Sequence, residues 1–138
     1  WNAQDFAGFS EVQPWFSVNQ QYADINVEQQ QNDPNSILSF YKQLIALRKS
    51  NVSLVVGRYQ LLLPNDHNIY AYQRVAQDMT WTIITNLSPQ ESIVDIDRMQ
   101  LGELMLDNQN INNEHVRSDF IATQIAPPYA AYIFARKH

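Results

Sequence analysis

Cysteine is absent from the 138 residues, and glycine occurs only three times. Without a thiol there is no disulfide framework, no thiolate nucleophile and no cysteine-ligated metal. Three separated glycines, Gly8, Gly57 and Gly102, cannot build a phosphate-cradling loop, which needs several within a few residues. Basic residues are short as well: nine Lys plus Arg against fourteen Asp plus Glu give a net charge of −5. That balance, with no basic run, holds no attraction for nucleic acid or for an anionic membrane surface. Apolar runs such as 61–63 fall far below the ~20 residues of a membrane-spanning helix. Neither a basic nor an apolar stretch opens the chain, so no secretory leader is expected, and a cysteine-free chain fits a reducing cytoplasm. The first residue is Trp1 rather than methionine, which creates the expectation of a piece cut from a longer polypeptide.

What the sequence does contain is 45% apolar and 12% aromatic residues, enough for a globular core. Gln (15) and Asn (13) are abundant but dispersed, and only 29–32 and 108–113 cluster. Both clusters read as polar loops. Residues 1–32 keep neither a period of 2 nor one of 3.6, while Trp1, Phe6, Phe9, Trp15, Phe16 and Tyr22 recur irregularly. A loop this long needs a surface to lie on, and its aromatics read first as anchors on another part of the protein. Sugar-stacking rings at a site rim are the second reading.

Residues 33–50 predict one helix, with Asp33 as N-cap and Pro34 in the first turn. Ile37, Phe40, Tyr41, Leu44 and Arg48 share a face, and Arg48 and Lys49 suit the C-terminal end of the helix dipole. The stripe is broad, widened by Leu38, Ile45 and Leu47, so the helix should pack on something large or on a second copy of itself. From about residue 52 the pattern changes to short strands: 55–56 with 59–63, then 68–75, 79–87, 92–96, 101–106, 120–124 and 129–135. About seven strands at hairpin spacing, with no βαβ alternation, predict a mainly β fold, an antiparallel sandwich or open barrel.

Chemistry-bearing groups are sparse. His67, His115 and His138 lie far apart, with no ligand spacing for a metal. Asp95 and Asp97 share a strand side, and paired carboxylates are what glycoside hydrolysis requires. Two acids on a solvent-facing strand are nonetheless ordinary, and Asp5 and Asp24 suit local backbone capping. No strained Gly-x-Ser-x-Gly turn presents a serine. No catalytic residue, no cofactor site and no metal site is assigned. The sequons Asn51-Val52-Ser53 and Asn86-Leu87-Ser88 carry no weight without secretion.

A set of residues at unbroken spacing resembles one family. Trp1, then Ala7-Gly8-Phe9, then Pro14-Trp15-Phe16-Ser17-Val18-Asn19-Gln20-Gln21-Tyr22-Ala23-Asp24-Ile25-Asn26-Val27 is similar to a stretch of the α-glucosidases of the α-amylase superfamily, glycoside hydrolase family thirteen. The branch is that of oligo-1,6-glucosidase, dextran glucosidase and trehalose-6-phosphate hydrolase, where a Met-Gln-Trp motif precedes Ala-Gly-Phe. Residues 33–49 resemble the last helix of that family's catalytic (β/α)₈ barrel. Gly57-Arg58-Tyr59, Ile69-Tyr70-Ala71-Tyr72-Gln73-Arg74, Thr85-Asn86-Leu87-Ser88 and the closing stretch 126–134 resemble its C-terminal β-domain, although Ala130 stands near a position that is usually acidic.

The resemblance implies a C-terminal fragment of a retaining α-glucosidase of carbohydrate metabolism. Residues 1–50 would close the catalytic barrel (loop 1–32, last helix 33–50), and 51–138 would form an antiparallel β-sandwich. The family's catalytic carboxylates precede the Met-Gln-Trp motif and match no position here, so the fragment is expected to be inactive scaffold. Its implied partner is the barrel of the same polypeptide, which would bind the α-glucoside. The other reading is a stand-alone carbohydrate-binding β-module using rings such as Trp15 and Trp81.

Overall fold

The structure is a computed structural model that describes residues 1–109 and 114–138, without the side chains of 114–118. It divides into two compact units, Trp1–Ile45 and Ala46–His138, the division falling within a helix.

In the first unit, side-chain amides supplement backbone pairing at the turns and helix caps. A tight turn at Asp5–Gly8 runs through the left-handed region at Phe6, Ala7 and Gly8 (φ 54, 59 and 62°). It is closed by the Asn2 N–H donating to the Ala7 carbonyl at 3.1 Å. A Cβ on Gly8 would collide with the Asn2 side chain, so glycine is required both by conformation and by space. Asn19 caps a 3₁₀ turn at Gln20–Ala23, accepting from the Gln21 N–H at 2.9 Å. Asn26 caps helix α1 (Val27–Asn32) by accepting from the Gln29 N–H at 3.0 Å, while its Nδ2 donates to the Tyr22 carbonyl. The 29–32 cluster, expected as a polar loop, is therefore helical: glutamine has good helix propensity once a cap is supplied.

Helix α2 spans Ile37–Ser50 rather than beginning at Asp33. Ser36 is its cap, its Oγ accepting from the Ser39 N–H at 3.1 Å while its carbonyl takes the Phe40 N–H. Asp33 instead accepts from the Asn35 N–H at 2.8 Å, closing the Pro34 turn. No residue of α2 is buried, and Ile37, Tyr41 and Ile45 stand exposed on successive turns.

The second unit is mostly antiparallel sheet. Strands β1 (Arg58–Leu62), β2 (Ile69–Val75), β3 (Met79–Asn86), β5 (Glu103–Asp107) and β7 (Ala131–Lys137) form one sheet in the order β1-β2-β3-β7-β5. Strands β4 (Ser92–Ile93) and β6 (Ile125–Ala126) form a separate two-stranded ribbon. The core gathers Ile69, Ala71, Ile84, Tyr132 and Phe134 from one face of the sheet with Val94, Ile96, Leu101, Phe120 and Ala126 from the ribbon and its flanks. Phe120 stacks on Tyr132 with centroids 4.0 Å apart and planes 15° apart.

Two expected strands are helices. Residues 55–56 belong to α3 (Ser53–Val56), which packs on β2 and β3. Its contacts override the β-branched preference of Val55 and Val56. Residues 120–123 lie in α4 (Glu114–Thr123), where Phe120 is buried in the core and Ile121 is exposed. Gln124, at φ 57°, then turns the chain into β6. The expected strand over 92–96 shortens to Ser92–Ile93. Of the polar cluster at 108–113, residues 110–113 lie outside the described residues.

Candidate functional site

Pairs of rings in the first unit form its most exposed chemistry. Trp1 and Phe9 stack with centroids 5.5 Å apart and an interplanar angle of 14°, and Trp15 lies 4.4 Å from Phe16. Trp15 is 92% exposed. Beside the Asp5–Gly8 turn is an open concavity of about 610 Å³ lined by Gln4, Asp5, Gly8, Phe9, Ser10 and Glu11. A second, of about 220 Å³, is lined by Trp1, Ile25, Asn26, Val27, Gln30 and Leu38. Exposed ring faces beside amides and carboxylates are suited to stacking on a sugar and bonding its hydroxyls. They include no hydroxyl nucleophile paired with a base.

The candidate acids all lie in turns or irregular segments. Asp5 opens the left-handed turn, and Asp24 ends the 3₁₀ turn at Gln20–Ala23 with its N–H on the Gln21 carbonyl. Asp95 and Asp97 lie beyond the end of β4, not on a strand. Both are exposed, and Asp97 accepts from the Met99 N–H at 3.0 Å to cap a 3₁₀ turn at Arg98–Gln100. The alternation that suggested a strand survives as alternating burial, because Val94 and Ile96 anchor an irregular segment in the core.

His138 Nε2 lies 2.8 Å from the Thr80 hydroxyl, a contact that ties the chain end to β3. His67 is exposed, and the side chain of His115 lies outside the described residues. Among the described residues no group of three or more His, Asp or Glu side chains is placed to hold a metal. No helix of the described residues is long and apolar enough to cross a membrane.

Trp81 overturns its expected role as a surface stacking platform. It is 1% exposed, lies beneath α3 and donates from Nε1 to the Ser53 hydroxyl at 2.8 Å. Period-2 reading of β3 gives its side of the sheet but not the α3 turn that covers it.

Asn86 is a residue whose role the sequence reading missed. Buried at 1% exposure, it donates from Nδ2 to the carbonyls of Gln90, Ala126 and Pro127 at 2.7, 3.0 and 2.9 Å. Its Oδ1 accepts from the Ser88 N–H and hydroxyl. The Asn-Leu-Ser triplet that reads as a glycosylation signal is thus a closed structural knot. The tight Asn-x-Ser turn before Pro89 is the only sequence signal for it.

Comparison with known proteins finds that curated homologues of the chain are α-glucosidases of the α-amylase family, glycoside hydrolase family 13. A family model described as the α-amylase catalytic domain matches residues 1–57. The probable oligo-1,6-glucosidase 3 of Bacillus subtilis is 36% identical over 134 residues, covering 97% of this chain and 24% of the relative. The crystal structure of Bacillus licheniformis trehalose-6-phosphate hydrolase superposes with a TM-score of 0.82 at 31% identity, over all of this chain and 25% of that one. Isomaltulose synthase of Klebsiella sp. LX3 superposes with a TM-score of 0.83 at 28% identity, over 99% of this chain and 24% of that one. The chain therefore spans about a quarter of the length of the relatives it matches.

Proposed function

We propose that the chain is the C-terminal part of a retaining α-glucosidase acting on short α-glucosides, and that its own contribution is structural. In this reading residues 1–50 close the catalytic barrel, as a rim loop over 1–32 and the last barrel helix over 33–50. Residues 51–138 are a C-terminal antiparallel β-sandwich domain. The carrying observation is the reach of the catalytic-domain match, which ends at Gly57, the residue before β1. The exposed stripe of α2 supports it, since an amphipathic helix with no buried residue lacks the surface it was shaped for. The carboxylates that attack and protonate the glycoside are assigned to the rest of the polypeptide, and none to Asp5, Asp24, Asp95 or Asp97. The reading includes a cytoplasmic location, in keeping with a chain that carries no cysteine.

The test is enzymatic. The 138-residue chain alone is expected to release no 4-nitrophenol from 4-nitrophenyl α-glucoside at any pH, whereas the longer polypeptide of the same reading frame hydrolyses it. Turnover by the short chain that disappears when one of its own acids is neutralised overturns the reading.

A further inference from the structure

The negative charge of the chain is concentrated in its first unit. Residues 1–41 hold five acids, Asp5, Glu11, Asp24, Glu28 and Asp33, and no Lys, Arg or His. Lys42 is the one cation of that unit, which therefore carries −4 of the chain's −5. The second unit is nearly balanced, with nine acids against eight Lys and Arg.

Two of the five acids line the larger concavity. Asp5 opens the left-handed turn through Phe6, Ala7 and Gly8, and Phe9 follows it. One costly stretch of backbone thus brings a carboxylate and a ring to the same rim. Glu11, Gln4 and Ser10 line it too, and Phe9 is backed by the stacked ring of Trp1. Among the described residues the Asp5 and Glu11 carboxylates accept no hydrogen bond and meet no cation. The volume of about 610 Å³ lies within the range of small-molecule sites. A ring, two carboxylates, an amide and a hydroxyl suit the C–H face and the hydroxyls of a neutral sugar. No guanidinium or ammonium group lines the concavity to receive a phosphate.

In the reading above, residues 1–32 precede the last barrel helix, which makes them a strand-to-helix loop. Loops of that kind build the substrate face of a barrel. The relatives described above include an oligo-1,6-glucosidase at 36% identity and a trehalose-6-phosphate hydrolase at 31%, so similarity alone does not choose between a neutral and a phosphorylated substrate. We infer that Asp5 and Glu11 make this rim a charge filter that admits neutral α-glucosides and turns away sugar phosphates. This rests on the proposed function for the reaction and adds the substrate class to it. Two carboxylates acting over about 10 Å on a phosphate dianion weaken its binding by roughly tenfold in dilute buffer, and salt shortens their reach.

Trehalose and trehalose 6-phosphate differ only by the phosphate, and both can be titrated as competitive inhibitors of 4-nitrophenyl α-glucoside hydrolysis by the longer polypeptide. At an ionic strength of about 0.01 M, trehalose should bind about tenfold or more tightly than its phosphate. Asp5→Asn combined with Glu11→Gln should remove most of that difference. Raising the ionic strength of the unsubstituted protein to about 0.5 M should narrow it as well, a readout that needs no variant. Equal or tighter binding of trehalose 6-phosphate in dilute buffer overturns the inference, and so does a ratio that the double substitution leaves unchanged. A longer polypeptide without α-glucosidase activity refutes the proposed function instead, and calorimetry with the same two sugars then still decides whether the rim discriminates by charge.

Discussion

At the scale of single residues, the clearest structural roles belong to buried polar side chains. Asn86 ties the end of β3 to the Gln90 turn and to the Ala126–Pro127 carbonyls, using both ends of its amide. Asn86→Leu keeps the volume but strands three acceptors and the Ser88 donors. The expected cost is about 2–4 kcal/mol, read as a lower urea midpoint at unchanged m-value. Tyr132 is the opposite case. It is fully buried, and among the described residues its hydroxyl makes no hydrogen bond. Burial, with the Asp107 charge adding to it, pushes the phenol up to about 12 from 10.0. The folded state therefore holds its proton where the unfolded chain has released it. The stability this contributes is intact below pH 10 and is lost as pH rises from about 10 through about 12, by roughly 2–3 kcal/mol in all. Tyr132→Phe should flatten that alkaline limb at little cost near neutrality, as a pH series of urea midpoints would show.

Elements are where sequence and structure part company most. Helix α2 and strands β2, β3 and β7 were legible because their apolar periods are long and their partners conventional. The start of α2 was misplaced because Asp33 and Ser36 are both good caps, and only packing decides between them. Ser36→Ala should thus cost the helix about 1 kcal/mol, visible as reduced helical ellipticity, while Asp33→Ala should cost it much less. Helices α3 and α4 were unreadable as helices. Four to ten residues of mixed pattern hold no period, and tertiary contacts at Trp81 and Phe120 choose the conformation. Gly102 shows the same limit from the other side. Its φ of +80° and the Ala135 carbonyl that would meet a Cβ leave room for glycine alone, although nothing in the surrounding sequence announces it. Gly102→Ala should destabilise β5 against β7 by about 2 kcal/mol or more, measurable as a lower Tm.

For the whole molecule, the informative feature is an imbalance between surfaces. The second unit has a closed core on one sheet face and a half-covered apolar opposite face. The first unit has stacked rings and two concavities, but its acids are spent on turns and caps or lie free of any base. Neither surface was legible as a site from the residues alone. The rings of 1–32 could be read as anchors or as a rim, and the second sheet face depends on a register that only pairing reveals. The exposed faces and the span of the relatives are what support the proposed reading of this chain as part of a longer polypeptide.

The most direct measurement is the kcat of the longer polypeptide on 4-nitrophenyl α-glucoside after Asp5→Asn, Asp24→Asn, Asp95→Asn and Asp97→Asn, one at a time. Each variant should stay within about tenfold of the parent, because none of these side chains is assigned to the reacting bond. A loss of about 10³-fold or more in any one of them, with its fold intact, would place the chemistry on this chain and contradict the account.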